Sequence, residues 1–190
     1  MKSGLKWLIG IGVVVAVFAI WVIGLYNSLV ESQQNVDVAR SNIETQLQRR
    51  SDLIPNLVST VQGYTTQEKD IFTDIANARA RLAGANNITE EAAADSDLSS
   101  AISRLLVVVE NYPELKSNQN FRDLSVQLEG TENRLAIARQ DYNAAVRRYN
   151  TKRRRFPTNI ISNAFGFEAA QFFEASPNAE QVPVVDFSNK

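Results

Sequence analysis

Trp7-Leu8-Ile9-Gly10-Ile11-Gly12-Val13-Val14-Val15-Ala16-Val17-Phe18-Ala19-Ile20-Trp21-Val22-Ile23-Gly24-Leu25-Tyr26, continued by Asn27-Ser28-Leu29-Val30, carries no charged side chain. Lys2 and Lys6 flank it before and Glu31 after. Crossing the hydrocarbon core of a bilayer takes about 20 apolar residues. From Trp7 to Tyr26 a helix rises roughly 29 Å at about 1.5 Å per residue, which sets an aromatic ring at each interface. The segment reads as a single transmembrane helix. A cleaved signal peptide and a buried core helix are the alternatives. The apolar run exceeds the core of a signal peptide, and Gly24-Leu25-Tyr26-Asn27-Ser28 makes a poor cleavage site. Gly12 and Ala16 place small residues four apart, a spacing that lets two such helices approach; incidental small residues are the plainer reading.

Lys2 and Lys6 precede the span, and Arg40 is the first basic residue after it. This bias favours a cytoplasmic N-terminus, with the remainder outside the cytoplasm of a bacterial inner membrane. Roughly 160 residues follow, a length suited to one domain. Net charge is −1, so bulk affinity for nucleic acid is not implied. The chain has no cysteine and no histidine. Disulfides, thiol chemistry and a lipidated cysteine are therefore excluded, as are Ser-His-Asp systems, His-containing zinc sites and Glu-x-x-His di-iron sites. Carboxylates remain as acid/base candidates, but they are spread along helical surfaces, and no cofactor is expected.

Beyond the span the pattern is helical almost throughout. Val36, Ile43, Leu47, Ile54, Leu57, Val61 and Tyr64 follow one seam of three- and four-residue steps, with Arg40 and Arg50 in the remaining seam positions. The first soluble helix would continue directly from the membrane, with a kink or break expected at Pro55. Ile71, Ile75, Ala78 and Leu82 predict a second helix, entered near Thr65 or Thr66 and closed by Gly84-Ala85-Asn86-Asn87. Residues 84–96 read as an exposed loop. Leu98, Ile102, Leu105, Val109 and Tyr112 predict a third helix, ended by Tyr112-Pro113; a short buried strand over Leu105–Val109 is the alternative. The fourth helix is the clearest: Phe121, Leu124, Leu128, Thr131, Leu135, Ala138, Tyr142, Ala145 and Tyr149 share a face. Asn118 or Asn120 would cap it, and Lys152-Arg153-Arg154-Arg155 suits its C-terminal dipole. The expectation is an all-α protein in which the transmembrane helix continues into an up-and-down antiparallel four-helix bundle.

Setting Gln33 beside Tyr149 in an antiparallel pair brings Arg50 opposite Glu132, and Arg40 near Asp141 and Tyr142. An ion pair is expected for each arginine; stems laid along the seam with charges in water are the alternative. Tyr142-Asn143 and Tyr149-Asn150 recur at seven residues, which puts both pairs on one face. They read as core tyrosines with neighbouring surface amides, or else as one wall of a ligand groove.

The ordered segments Tyr26-Asn27-Ser28-Leu29-Val30, Leu47-Gln48-Arg49-Arg50-Ser51-Asp52-Leu53-Ile54-Pro55-Asn56-Leu57-Val58, Ala78-Arg79-Ala80, Glu110-Asn111-Tyr112-Pro113-Glu114-Leu115-Lys116, Glu132-Asn133-Arg134, Ala138-Arg139-Gln140-Asp141-Tyr142-Asn143, Tyr149-Asn150, Phe156-Pro157 and Phe165-Gly166-Phe167 resemble the LemA family of membrane-anchored helical proteins. That resemblance implies a single-pass anchor and a four-helix domain, with no catalytic residue to carry over. Polar links between helices are then expected from Arg40, Arg49, Arg50, Asp52, Glu110, Glu132, Arg139, Asp141 and Tyr142.

Domain boundaries follow as a flank at 1–6, the span at 7–26, the bundle at 27–157, a membrane-proximal or bundle-capping segment at 158–175, and an extended or disordered tail at 176–190. The membrane surface would meet Lys152, Arg153, Arg154 and Arg155 together with Phe165, Phe167, Phe172 and Phe173; rings that cap the bundle or meet a neighbouring subunit are the alternative. The leading functional expectation is a non-enzymatic helical scaffold or assembly module at the bilayer. It would meet lipid and either copies of itself or other membrane proteins, and no nucleic acid. A sensory or ligand-binding bundle outside the cytoplasm is the alternative; an enzyme would need paired carboxylates in a shared cleft.

Overall fold

The computed structural model describes residues 2–65 and 67–174, so the expected tail at 176–190 lies outside the described residues. Six helices and no strand occur among them. They are α1 (Lys2–Gln62), α2 (Lys69–Ala83), α3 (Ile88–Val109), α4 (Pro113–Ser117), α5 (Gln119–Arg154) and α6 (Thr158–Ala164). The chain divides into two units to which both α1 and α5 contribute. The first holds Met1–Asn42 with Gln140–Ala170, and the second holds Ile43–Arg139 with Gln171–Lys190.

Within the first unit, α1 carries the apolar run with none of it buried by protein. This is the candidate membrane helix. Further along α1 its inward face appears at Leu29, Val36 and Ala39. On α5 the inward residues are Tyr142, Ala145, Val146 and Tyr149. The two helices run antiparallel: Asp37 acts electrostatically on Tyr149, whereas three residues later on α5 Lys152 reaches back to Ser28 and Ser32.

Within the second unit, one core is built from Ile54, Leu57 and Val61 of α1, Ile75 and Ala78 of α2, Leu98 to Val109 on one face of α3, Leu115 of α4, and Phe121 and Leu128 of α5. Leu105 and Val109 are buried while Val107 between them is 66% exposed, a one-sided pattern that a helix produces.

Three local expectations are corrected. Residues 84–96 are not a loop, because α3 already begins at Ile88. Asn87 Oδ1 accepts from the Glu90 amide at 2.9 Å, and the Glu90 carboxylate accepts from the Asn86 amide at 2.8 Å. This reciprocal cap starts a helix where composition alone suggested polar coil. Buried Ala92 and Ala94 then extend it. Secondly, of the kink or break expected at Pro55 the break does not occur, and α1 runs on through it. Proline deletes one ladder N–H, and buried Ile54 and Leu57 on either side hold the helix together across the gap. Thirdly, Tyr64 is not on the seam: it lies beyond α1, exposed, where its hydroxyl accepts from Asn118 Nδ2 at 2.9 Å.

Candidate functional site

The largest concentration of buried charge lies in the second unit, where α1, α3 and α5 meet. Arg50 occupies a seam position between Leu47 and Ile54 and is only 3% exposed. Its Nη1 donates to Asp95 Oδ1 at 2.7 Å and to Ser99 Oγ at 2.9 Å. Glu132 Oε2 stands 2.9 Å from the same nitrogen as a charge contact, without hydrogen-bond alignment. Arg139, two turns along α5 from Glu132, closes on the other Asp95 oxygen through Nη2, and its Nη1 lies 3.8 Å from Glu132 Oε1. The Arg139 guanidinium also sits over the ring of Phe173, 5.1 Å from its centroid. Two guanidiniums thus face two carboxylates, and their charges cancel.

Asp95 shows what this arrangement costs. Burial raises its carboxyl above the ordinary 3.8, against the pull of Arg50 and then of Arg139. Desolvation therefore outweighs attraction at this carboxyl, the balance that makes buried ion pairs better at setting register than at adding stability. A pH dependence follows. Arg50→Met removes a group that lowers the Asp95 value, so the folded carboxyl holds its proton to still higher pH. A raised folded value contributes stability that is complete below the unfolded value and is lost as pH rises through the folded one. The stability deficit of Arg50→Met relative to the parent should therefore be smaller at pH 4.5 than at pH 7, measured by denaturant titration of the full chain in mild detergent. A deficit that grows on acidification contradicts the assignment.

The other expected polar residues are distributed differently. Arg49, Asp52 and Glu110 are exposed; Asp52 Oδ1 accepts from Gln48 Nε2 at 2.8 Å on the same helix, and Glu110 ends α3. In the first unit Tyr142 is buried, Arg40 half-buried and Asp141 exposed. Asp95 and Ser99 were not anticipated, because they fell in or beside the supposed loop. A signal was present: stepping back from Leu98 by three, four and three residues passes through Asp95, Glu91 and Ile88, all buried.

The first unit holds a second organised site, where residues 165–170 lie back along α5. Arg153 Nε donates to Phe167 O at 2.6 Å, and Tyr149 Oη donates to Glu168 O at 2.8 Å. Burial raises the Tyr149 phenol above 10.0, although Arg153 pulls the other way, so the hydroxyl stays a donor. Asn150 clamps Ala170 from both sides: Nδ2 donates to its carbonyl at 2.8 Å, and its amide donates to Oδ1 at 3.0 Å. Every one of these bonds reads backbone, so this part of the Tyr-Asn face holds the chain's own segment. Asn150→Ala should cost about 1–2 kcal/mol of local stability. Chymotryptic cleavage after Phe167 should accelerate about tenfold. An unchanged rate contradicts the clamp.

The presumed membrane-surface residues separate as well. Lys152 and Arg153 turn inward, Lys152 Nζ to Ser28 O at 2.7 Å and Ser32 Oγ at 2.8 Å. Arg154, Arg155 and Phe165 are exposed, and Phe167 is half-buried. In the second unit Phe172 is partly exposed, and Phe173 is buried beneath Arg139. Among the described residues no group of three acidic side chains converges as a metal site.

An N-terminal helix long and apolar enough to cross a membrane, running on into a helical body pinned by paired charges, defines a class of helical protein with a candidate membrane anchor. The LemA family model matches residues 39–187, and the chain belongs to that family. Among curated relatives, Magnetosome protein MamQ 2 of Paramagnetospirillum magneticum is 27% identical, the match covering 84% of this chain and 68% of the relative. Magnetosome protein MamQ of Magnetospirillum gryphiswaldense is 24% identical over the same shares. Protein LemA of Metamycoplasma hominis is 23% identical, covering 85% of this chain and 74% of the relative.

Proposed function

We propose that this protein is a non-enzymatic, single-pass membrane scaffold whose helical body is an up-and-down four-helix bundle presented at the bilayer surface. It assembles with copies of itself or with other membrane proteins. The observation that carries this reading is the continuity of α1: one helix from Lys2 to Gln62 supplies the exposed apolar span at its start and core residues of the second unit at its end. The charged quartet supports it further, because its guanidiniums and carboxylates pair with one another across three helices, as charges that fix helix register do. The relatives' names support a module over a shared reaction: two refer to a magnetosome and one to LemA alone.

A sensory role would call for a ligand chamber. The cavity beside Leu47, Gln48, Ser51 and Leu82 holds about 200 Å³, and the one beside Arg81, Glu90 and Asp97 about 360 Å³. Neither is lined by Arg49, Arg50 or Tyr142, the polar groups that a ligand groove was expected to gather, so the scaffold reading is preferred. The body faces away from the cytoplasm on the bias of Lys2 and Lys6 over Arg40.

Crosslinking in native membranes, followed by mass spectrometry of what is captured, tests the role. Discrete multimers of the chain or one recurrent membrane protein are expected. A band at the monomer mass alone, across crosslinkers of several lengths, overturns it. A C-terminal reporter active only in the cytoplasm reverses the orientation.

A further inference from the structure

We propose that the segment from Arg154 to Phe165 is a second membrane contact: a foot seated in the interfacial layer of an anionic bilayer, beside the point where α1 leaves it. This rests on reading α1 as the membrane span.

The height of the segment is set within the first unit. Lys152 Nζ is bonded to Ser28 O and Ser32 Oγ. Ser28 is about 3 Å along the helix axis from Tyr26, the aromatic at the end of the apolar run. Side chains lean toward the N-terminus of their own helix. Because α5 descends antiparallel to α1, the backbone of Lys152 therefore lies no farther from the bilayer than its ammonium. Arg153 and Arg154, which complete α5, are closer still. Phe165 then returns to Tyr26, ring centroids 5.0 Å apart, with Phe167 at 5.6 Å on the same ring. The start of the segment and its end are both fixed at the level of Tyr26.

At that level the segment presents the chemistry of an interfacial helix. In α6, Thr158, Ile161 and Ser162 are buried, whereas Ile160 is 57% exposed. Phe156, ahead of the helix, is 80% exposed and Phe165, behind it, 60%. Arg154 and Arg155 are exposed on the rim, unlike their inward-turned neighbours Lys152 and Arg153. Exposed aromatic and aliphatic side chains next to exposed guanidiniums suit the boundary between acyl chains and anionic headgroups. Continuity with the span favours lipid over a second copy of the chain.

The protein has no cysteine of its own, so single-cysteine labelling is clean. The full chain carrying Ile160→Cys or Phe156→Cys, labelled with an environment-sensitive nitrobenzoxadiazole dye, is reconstituted into phosphatidylcholine vesicles containing 30% phosphatidylglycerol, a proportion on the order of that in an anionic membrane. Val14→Cys reports the span, and Val107→Cys reports a water-exposed face of the second unit. Lipids spin-labelled near the headgroup should quench the Ile160 and Phe156 probes at least about twofold more than the Val107 probe, while aqueous iodide quenches them less. Arg154→Gln with Arg155→Gln, or vesicles of phosphatidylcholine alone, should roughly halve that lipid quenching.

Iodide quenching at Ile160 equal to that at Val107, with Val14 still quenched by lipid, overturns the foot and leaves the span intact. Absence of lipid quenching at Val14 overturns the span reading itself. Protection of the Ile160 probe from both quenchers, with self-quenching that rises with protein density, assigns the face to a second copy and also overturns the proposal.

Discussion

Asp95→Leu destabilises the full chain in detergent by about 3–5 kcal/mol, more than Arg50→Met, and the two together cost less than Asp95→Leu alone. The asymmetry comes from which charge is stranded. With Asp95 gone, Arg50 remains 3% exposed beside a Glu132 whose side chain is 42% exposed and which makes no aligned hydrogen bond to it. A guanidinium cannot shed its proton in a protein, so the full cost of burying it remains. With Arg50 gone, Asp95 keeps Arg139 and can also take up a proton, toward which burial already pushes it. With both replaced by apolar groups of similar size, the half-exposed Arg139 and Glu132 are left facing each other at 3.8 Å. Chemical denaturation of the three variants in one detergent gives the order. Equal losses for all three would mean that the four charges do not act as a unit.

The second large effect separates a helix from a strand at Leu105–Val109. Leu105→Ala should cost about 2–5 kcal/mol, because deleting a buried isobutyl group loses transfer energy and leaves a cavity. Leu105 has no exposed surface and belongs to the central core. Val107→Ala should stay within about 0.5 kcal/mol of the parent, since its side chain is 66% exposed. In a strand, residues two apart share a face, and both substitutions would be costly. Thermal or denaturant unfolding of the two variants decides it, and a large loss for Val107→Ala would reject the helical assignment.

Much of the helical content was legible because it is a local property. The apolar run, the seam on α1 and the face Phe121–Tyr149 on α5 each show a helical period without reference to any other part of the chain. The start of α3 was hidden for the opposite reason. Alanines and acids look like coil by composition, and the cap that begins the helix is a pairing between Asn87 and Glu90. In the charged site, aligning the first and last long helices brought Arg50 level with Glu132, and in the structure the two lie 2.9 Å apart. Nothing in that alignment points to Asp95, because residues 84–96 read as loop by composition.

From the sequence alone came an apolar segment long enough to cross a bilayer, a body made of helices, and the exclusion of histidine and cysteine chemistry. Each depends only on residue type and spacing along one stretch of chain. The tertiary structure decided which charges meet and which basic residues turn inward. Arg50 finds Asp95 because α3 lies against α1, and Lys152 and Arg153 face protein while Arg154 and Arg155 face out. Such pairings depend on the relative placement of helices far apart in the chain, and periodicity within one helix carries no information about the azimuth of its neighbour.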